Sequence, residues 1–206
     1  MASFKTAFRY VMSHEVSDTV KYTNDPRDNG GETYYGISRH AHATWGGWPI
    51  IDHLKSEKDF PANLEHHPEL HDMVVSYYKE EYWNKFWGDS ISEQAIAEEL
   101  MDTAVNVGVY SATVLLQKGL NRLNRMEDLY ADIIVDGIFG TQTLAALGKY
   151  LDQRDPIPLL IDLNGAQCAY YQELVDKNKK NEIWYYGWLD RIELRRKRLR
   201  THKSAK

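Results

Sequence analysis

The stretch that decides the fold is SHEVSDTVKYTNDPRDNGGETYYGIS, residues 13–38. It places a carboxylic acid, Glu15, at the end of an apolar helical pattern whose members recur at i, i+3, i+4, i+7 and i+8: Phe4, Ala7, Phe8, Val11 and Met12. Residues 22–38 then combine turn formers with β-branched and aromatic residues, which predicts a hairpin or a long structured loop. The sequence therefore predicts a helix that leads from Glu15 directly into a small β element.

The rest of the chain is predicted to be mostly helical, apart from IIVDGIFG, which looks like an extended segment that closes in a turn. Apolar residues with helical spacing predict helices at 69–87 and 93–107, a helix through SATVLLQKGLNRLN, and a last long helix at about 159–179. Ser92 and Thr141 are the predicted N-caps of the helices that follow them, and Pro156 and Pro158 are expected to break the chain before the last helix. The expected fold class is mainly α (α+β), with a small β-hairpin next to the helix of Glu15.

Composition and charge exclude several classes of protein. With 206 residues, 43% of them hydrophobic, the chain is long enough for one sizeable core. A net charge of −5 argues against a nucleic-acid binder, although residues 189–206 carry a local balance of +6. A single cysteine, Cys168, excludes an internal disulfide framework. The N-terminus has no signal-peptide pattern, and no apolar run reaches the ~18 residues of a membrane span.

Glu15 and the residues after it have the chemistry of a glycosidase. Burial against the apolar helix face and the helix C-terminus both disfavour a charged Glu15, as a proton donor requires. An inverting glycosidase needs a second carboxylate across the cleft, about 6.5–9.5 Å from the first, to activate water. Asp25 and Asp28 are the candidates, and Thr33 offers a hydroxyl to hold the water. The same residues also fit a purely structural interpretation, with a solvated Glu, ordinary turns and a strand Thr.

The stretch resembles the signature of glycoside hydrolase family 108, the phage and prophage N-acetylmuramidases. The usual form is Glu-Gly-Gly-Tyr followed by Asn-Asp-Pro, Asp, Gly-Gly, Thr and Gly-Ile. The matching residues here are His14, Glu15, Tyr22, Asn24, Asp25, Pro26, Asp28, Gly30, Gly31, Thr33, Gly36 and Ile37. The chain departs from this form by an insertion of about four residues, within VSDTVKY, between Glu15 and Asn24. The segments MDTAVNVGVYSATVLLQKGLN, VDGIFGTQTLAAL and YYGWLDRI resemble the peptidoglycan-binding-like region of the same proteins.

The resemblance implies a lysozyme-like fold and an endolysin-type muramidase that cleaves the β-1,4 bond between N-acetylmuramic acid and N-acetylglucosamine. Glu15 would be the acid, Asp28 the base and Thr33 the residue that holds the water, because the Asp28–Thr33 spacing is similar to that of lysozyme-like chitosanases; Asp25 stays the alternative base. The implied division is a hydrolase part at 1–90 and a peptidoglycan-binding-like part at 91–206, packed into one compact unit. A bacteriophage enzyme of this kind accumulates in the host cytoplasm until a holin releases it to the cell wall for host lysis.

Two other functions fit the same residues. A lytic transglycosylase would use Glu15 alone and form an anhydro sugar. A non-catalytic peptidoglycan-binding or secretion-helper protein would keep the wall-binding region and lack catalysis, and the insertion after Glu15 motivates that alternative.

Several further residues are candidates for substrate contact. They comprise a carboxylate, three aromatic residues and an amide: Asp25, Tyr35, Trp45, Trp48 and Asn106. Asn106 lies four residues after Asp102, so a hydrogen bond that fixes the helix is the alternative role. The histidines lack a metal-binding order, so we expect neither metal nor cofactor. We expect the protein to be a monomer whose partner is peptidoglycan and not nucleic acid. Its basic tail either binds an anionic envelope surface or is a solvated helix end.

Overall fold

The computed structural model describes residues 1–15, 21–25, 31–190 and 192, with only the helical backbone described at 14 and 15. The chain divides into two units, an N-terminal unit of Phe4–Asn84 and a C-terminal unit of Lys85–Lys206 together with Met1–Ser3. The fold is mainly α with a small antiparallel sheet, which confirms the predicted fold class.

The N-terminal unit contains three α-helices and a three-stranded sheet within its described residues, with a 3₁₀ turn at Ala62–His66. In chain order these are α1 (Phe4–Glu15), β1 (Tyr22–Thr23), β2 (Thr33–Tyr34), β3 (Ile37–Ser38), α2 (Gly47–Leu54) and α3 (Pro68–Glu81). The strands are antiparallel in the order β1-β2-β3. The hairpin predicted over 22–38 is therefore extended by a third short strand.

The apolar stripe of α1 packs as predicted. Ala7 and Val11 are fully buried, and Tyr10 joins them in the core. The ring of Phe8 contacts Tyr78 of α3 edge-on at 5.6 Å between centroids. This packing fixes the helix whose last residue is Glu15.

Helix α3 begins as its sequence indicates but ends earlier. His67 is the N-cap, its Nδ1 accepting the Leu70 N–H at 3.3 Å, and Pro68 occupies the first helical position. The helix ends at Glu81, whereas the spacing predicts helix to residue 87. Short 3₁₀ turns follow at Trp83–Phe86 and Gly88–Ser90, and Trp87 between them has a left-handed φ of 46° that stops any continuous helix.

Four long helices form most of the described C-terminal unit. They are α4 (Gln94–Val107), α5 (Val109–Leu123), α6 (Thr141–Gln153) and α7 (Pro156–Lys177), and residues 182–190 are also helical. Helix α5 packs against α4, α6 and α7. Ile96, Leu100 and Ala104 are buried along α4, as their spacing predicts.

Three predicted helix starts are wrong by one to three residues. Glu93, not Ser92, caps α4 by accepting the Ala95 N–H at 3.4 Å, and Gly140, not Thr141, is the N-cap of α6. Helix α7 includes Pro156 and Pro158 instead of starting after them. Both prolines lie in the first turn, where backbone N–H groups have no intrahelical acceptor, so their missing donors are tolerated.

Candidate active site

The sheet that follows α1 carries Thr33 at its centre. Thr33 lies in the middle strand and pairs with Thr23 on one side and Ser38 on the other. It is half-buried, and its hydroxyl donates to the carbonyl of Gly31 at 3.2 Å. Asp25 follows β1 by two residues and is also half-buried. Asp28 and the side chain of Glu15, the predicted base and acid, lie outside the described residues.

Tyr35 forms the tight turn between β2 and β3. Tyr35 and Gly36 both have positive φ, 48° and 77°, which is the conformation of a two-residue type I′ hairpin. A tyrosine in this region is uncommon, and such strained residues concentrate at functional sites. Its N–H donates to the Lys21 carbonyl at 2.7 Å, and its carbonyl accepts the Tyr78 hydroxyl at 2.7 Å. The surroundings therefore fix Tyr35 in place, with its ring half-buried next to the Lys21 ammonium.

A half-buried residue, Glu32, whose carboxylate side chain is 9% exposed, connects the sheet to α2. The Arg39 Nε and the Lys55 Nζ each lie 2.7 Å from a Glu32 oxygen, and the Tyr22 hydroxyl donates to Glu32 at 2.9 Å. Arg39 and Lys55 also bind Asp52 on the surface of α2, at 2.7 and 2.8 Å. Hydrogen bonds from these two cations lower the pKa of Asp52 to about 2. Burial and the bond to Glu32 raise the pKa of Tyr22.

The segment TWGGW places its two tryptophans differently. Trp48 is 2% exposed, its indole N–H donates to the His42 carbonyl at 2.7 Å, and Arg39 lies over its ring. Trp45 is half-buried, with its ring edge-on to Trp48 at 5.1 Å. Of the two predicted sugar-contact residues, Trp45 presents an accessible ring, whereas Trp48 is packed into the core.

Asn106 belongs to the C-terminal unit. Its amide nitrogen donates to the Asp102 carbonyl at 2.7 Å and to the Asp102 carboxylate at 3.2 Å. Asp102 is fully buried, and Asn106 is half-buried. These contacts correspond to the helix-fixing role, the alternative to substrate contact.

The sequence interpretation missed a row of three side-chain amides at the C-terminal end of α5. We name Gln117, Asn121 and Asn124 the amide row; the first two lie on α5 and Asn124 is its C-cap, so that they follow one another at i, i+4 and i+7. Each bonds with both its oxygen and its nitrogen to the segment after α5. The oxygens accept the N–H groups of Gly137 (2.9 Å), Ile133 (3.0 Å), Leu129 (3.1 Å) and Tyr130 (3.3 Å), and the nitrogens donate to the carbonyls of Ile138, Ile133 and Tyr130. The amide row thus orders the segment that contains VDGIFG.

The chain turns with an unusual backbone immediately after the amide row. Arg125, Met126 and Glu127 have consecutive left-handed φ values of 53°, 63° and 64°. Each non-glycine residue in this region costs roughly 1–2 kcal/mol, so the hydrogen bonds of Asn124 must hold the turn against that strain. Sequence reasoning had no signal for this turn, because none of the three residues is a glycine.

The histidines do not form a metal centre in the described part of the chain. His67 is used as a helix cap, and the His42 Nε2 lies 2.8 Å from the Tyr77 hydroxyl. Across residues 1–15, 21–25, 31–190 and 192, no three His, Cys, Asp or Glu side chains are grouped to hold a metal ion. Nor does any helix in these ranges combine the length and apolar character needed to cross a membrane.

Two family models match the chain in succession. Residues 8–108 match glycosyl hydrolase 108, and residues 111–193 match a family described as a predicted peptidoglycan domain. Together with the helical fold and its small sheet, the matches define a glycosidase that acts on peptidoglycan. The chain belongs to the glycosyl hydrolase 108 family, with the peptidoglycan domain following the hydrolase region, as the sequence signature indicates.

A solved structure shares the fold. The chain is similar to Brucella abortus SagA with a TM-score of 0.62 and 24% sequence identity, over 95% of this chain and 92% of that one. At this level of identity the similarity establishes the fold alone. No curated protein matches the sequence.

Proposed function

We propose that this peptidoglycan hydrolase is an N-acetylmuramidase of lysozyme type. It cleaves the β-1,4 bond between N-acetylmuramic acid and N-acetylglucosamine by an inverting acid/base mechanism. The observation that carries the proposal is that α1 ends at Glu15 and leads to a sheet with Thr33 at its centre, within the glycosyl hydrolase 108 match. Helix α1 is anchored through the buried Ala7 and Val11, and Thr33 lies in a strand paired on both sides; packed elements of this kind support the precise placement that reacting side chains need.

Each residue has a distinct role in this mechanism. Glu15 protonates the oxygen of the leaving sugar, and Asp28 removes a proton from the water that attacks the opposite face of the ring. Thr33 orients that water through its hydroxyl. Asp25 is the alternative base, and the kinetics of Asp28→Asn compared with Asp25→Asn distinguish the two. The base variant should lose about a hundred- to ten-thousandfold in kcat, as general-base variants do.

The remaining candidates bind the glycan strand. Tyr35 and Trp45 have accessible rings that are held in place by their surroundings, so they are suited to stack on sugars. Asp25 would accept hydrogen bonds from sugar hydroxyls. We assign Trp48 the role of packing against the Trp45 ring. Asn106 has the role of fixing α4 through its hydrogen bonds to Asp102. Catalysis by residues 1–90 and wall binding by residues 91–206 remain predictions.

The biological setting is part of the proposal and is supported by the resemblance to phage and prophage muramidases. We propose a bacteriophage endolysin that stays in the host cytoplasm as a monomer until a holin opens the membrane, and then lyses the cell wall. The basic segment 189–206, mostly outside the described residues, would bind an anionic envelope surface. Salt dependence of wall binding tests that contact, because a solvated helix end would leave binding unchanged by salt.

The first experiment compares the clearing of purified peptidoglycan by the wild-type protein and by Glu15→Gln. Gln keeps the shape of the side chain and removes the acid, so clearing should fall by about a hundred- to ten-thousandfold. Glu182→Gln, at an exposed position in the C-terminal unit, is the matched control and should clear normally. Full clearing by Glu15→Gln would contradict the assignment of the acid.

The products of digestion separate the alternatives. Hydrolysis adds a water to each cleaved bond, which mass spectrometry of the muropeptides detects. Anhydro products would instead identify a lytic transglycosylase that acts through Glu15 alone. Binding of the wild-type protein to intact peptidoglycan with no cleavage would identify a non-catalytic wall-binding or secretion-helper protein.

A further inference from the structure

A groove lies between the loop that precedes α2 and one face of α3, within the N-terminal unit. Its volume is about 740 Å³, in the range of small-molecule and short-peptide sites. The described residues that line it are Ala41, His42, Thr44, Trp45, Gly46, Glu69, Asp72, Met73, Ser76, Tyr77, Glu80 and Glu81. Apart from Trp45, none of these residues has a role in the proposed hydrolysis.

The aromatic wall of the groove is held by ring contacts and a hydrogen bond. The rings of Trp45 and Tyr77 meet edge-on at 6.4 Å, and the Tyr77 hydroxyl bonds to the His42 ring nitrogen at 2.8 Å. The six-membered ring of Trp45 lies directly over Gly47, where a Cβ would come within 2.3–2.6 Å of it. Rings held in this way bind a ligand without losing side-chain freedom.

The other wall of the groove is negatively charged. Glu69, Asp72 and Glu80 are exposed at i, i+3 and i+11 of α3, and Glu81 follows. No Lys or Arg is among the described lining residues, and no ion pair between described residues involves these four carboxylates. Lys79, the cation of α3, lies instead over the Phe4 ring, 5.9 Å from its centroid. The groove therefore combines π faces with uncompensated negative charge.

We propose that this groove binds the side-chain ammonium group of a peptidoglycan stem peptide. Aromatic faces and carboxylates both attract an organic cation, and their effects add in a partly desolvated groove. The glycan strand carries no cation, whereas the diamino acid of an uncrosslinked stem peptide carries a free amine. The groove thus distinguishes peptide-bearing, uncrosslinked wall from bare glycan. This inference rests on the proposed function for its choice of ligand.

The test is a titration that needs no catalysis. The probe is N-acetyl-L-alanyl-γ-D-glutamyl-L-lysine amide, in which the lysine amine is the single cation, and the comparison peptide has that amine acetylated. The readout is the indole N–H resonance of Trp45 in the ¹⁵N-labelled full chain, assigned with Trp45→Phe. We expect a saturable shift with the free amine that weakens at higher salt, and about tenfold weaker binding of the acetylated peptide.

Charge variants test the carboxylates directly. The triple variant Glu69→Gln, Asp72→Asn and Glu80→Gln should bind the free-amine peptide about tenfold more weakly or worse. The matched triple variant Asp152→Asn, Asp176→Asn and Glu182→Gln removes as many exposed charges from the C-terminal unit and should bind as wild type does. Equal binding of both peptides, no loss in the first triple variant, or no saturable shift up to about 10 mM would overturn the proposal. A shift with a neutral chitooligosaccharide alone is compatible with sugar stacking on Trp45. If the free-amine peptide shifted the Trp45 resonance no more strongly than the chitooligosaccharide does, in the wild-type protein and in the first triple variant alike, the proposal would be overturned in favour of a glycan subsite.

The result of the peptide titration can be distinguished from the result of the peptidoglycan-clearing experiment that tests the proposed function. Binding is measured on short peptides, so an inactive hydrolase that still binds the amine would contradict the muramidase proposal alone. Normal clearing of peptidoglycan with no Trp45 shift would contradict the groove alone.

Discussion

The two glycines of TWGGW show how one atom at one residue decides the position of a tryptophan ring. A Cβ at Gly46 would meet the Met73 methyl at 2.9 Å, and one at Gly47 would overlap the Trp45 ring. The two adjacent glycines are typical of a loop, whereas Gly47 is buried and belongs to α2. Gly47 serves close packing, because only a hydrogen atom fits between its backbone and the Trp45 ring.

Gly47→Ala should move Trp45 and destabilise the N-terminal unit. The added methyl forces the ring out of its position, and overpacking of this kind costs about 1–3 kcal/mol of unfolding free energy. Chemical denaturation followed by tryptophan fluorescence measures both the loss and the changed environment. Gly165→Ala, in the exposed middle of α7 with no atom within 4 Å of the new methyl, is the control and should stabilise by about 0.5–1 kcal/mol. Similar stability of Gly47→Ala and wild type would show that the ring moves freely.

At the scale of elements, the helices were predictable where apolar spacing and burial agree. Ile96, Leu100 and Ala104 mark α4 in the sequence and are buried in the structure. Apolar spacing predicted too long a helix where the local backbone conformation dominates. After α3, the left-handed φ of Trp87 separates two short 3₁₀ turns and prevents a continuous helix. The prediction also failed at the start of α7, where Pro156 and Pro158 were expected to break the chain but occupy the first turn.

The start of α7 depends on a side-chain cap. Asp155 accepts the Ile157 N–H at 2.9 Å, so Asp155→Ala should lower the unfolding free energy by about 1 kcal/mol. Asp176→Ala, near the other end of the same helix, removes a negative charge that the helix dipole disfavours and should change stability by at most a few tenths of a kcal/mol, in the stabilising direction. Thermal or urea denaturation of the two variants gives the comparison. If Asp155→Ala and Asp176→Ala changed the unfolding free energy by the same amount, the N-cap hydrogen bond of Asp155 would not be the cause of the loss.

Asn124 should be the most sensitive member of the amide row. It is fully buried, and Asn124→Ala leaves the Leu129 and Tyr130 N–H groups and the Tyr130 carbonyl without their partner. We expect a loss of about 2–4 kcal/mol, with hydrogen exchange at Leu129 and Tyr130 rising first. Asn164→Ala loses one bond to its own helix, to the Leu160 carbonyl, and should cost under about 1 kcal/mol. Unchanged protection at residues 129 and 130 would contradict the role of the amide row.

At the scale of the whole molecule, the charges follow two different patterns. The sequence shows an acidic body with a basic end, and this much is visible from composition. The Asp52–Lys55 pair, at i and i+3, is local in the sequence. The pairing of Glu32 with Arg39 and Lys55 and of Arg39 with Asp52 is not visible from composition, because these residues come from the sheet region and from α2 with its C-cap, which only the fold brings together. The acidic face of α3 has helical spacing in the sequence, but its groove depends on the position of the loop at 41–46. Thr33 and Tyr35 could likewise be identified as candidate site residues from the sequence, but the hydrogen bonds that they make are seen only in the folded structure.

The pH dependence of stability should reflect Asp52. Its pKa falls to about 2 in the folded protein, below the ordinary value of 3.8, so its contribution is complete above pH 4 and disappears as the pH falls toward 2. The side chain is 47% exposed, and solvent screening should keep the contribution below about 1 kcal/mol. Asp52→Asn should therefore be less stable than wild type at pH 7, and the two proteins should converge between pH 4 and 2. A constant difference across that range would contradict the assignment.

The left-handed turn at Arg125–Glu127 has a consequence for how the sequence can vary. At most positions of a folded chain a glycine is selected against, but here it would release backbone strain at a site where the Met126 side chain is 98% exposed. In a saturation library selected for abundance at elevated temperature, glycine should become enriched at position 126. Asparagine, which tolerates this backbone better than other side chains do, should come second.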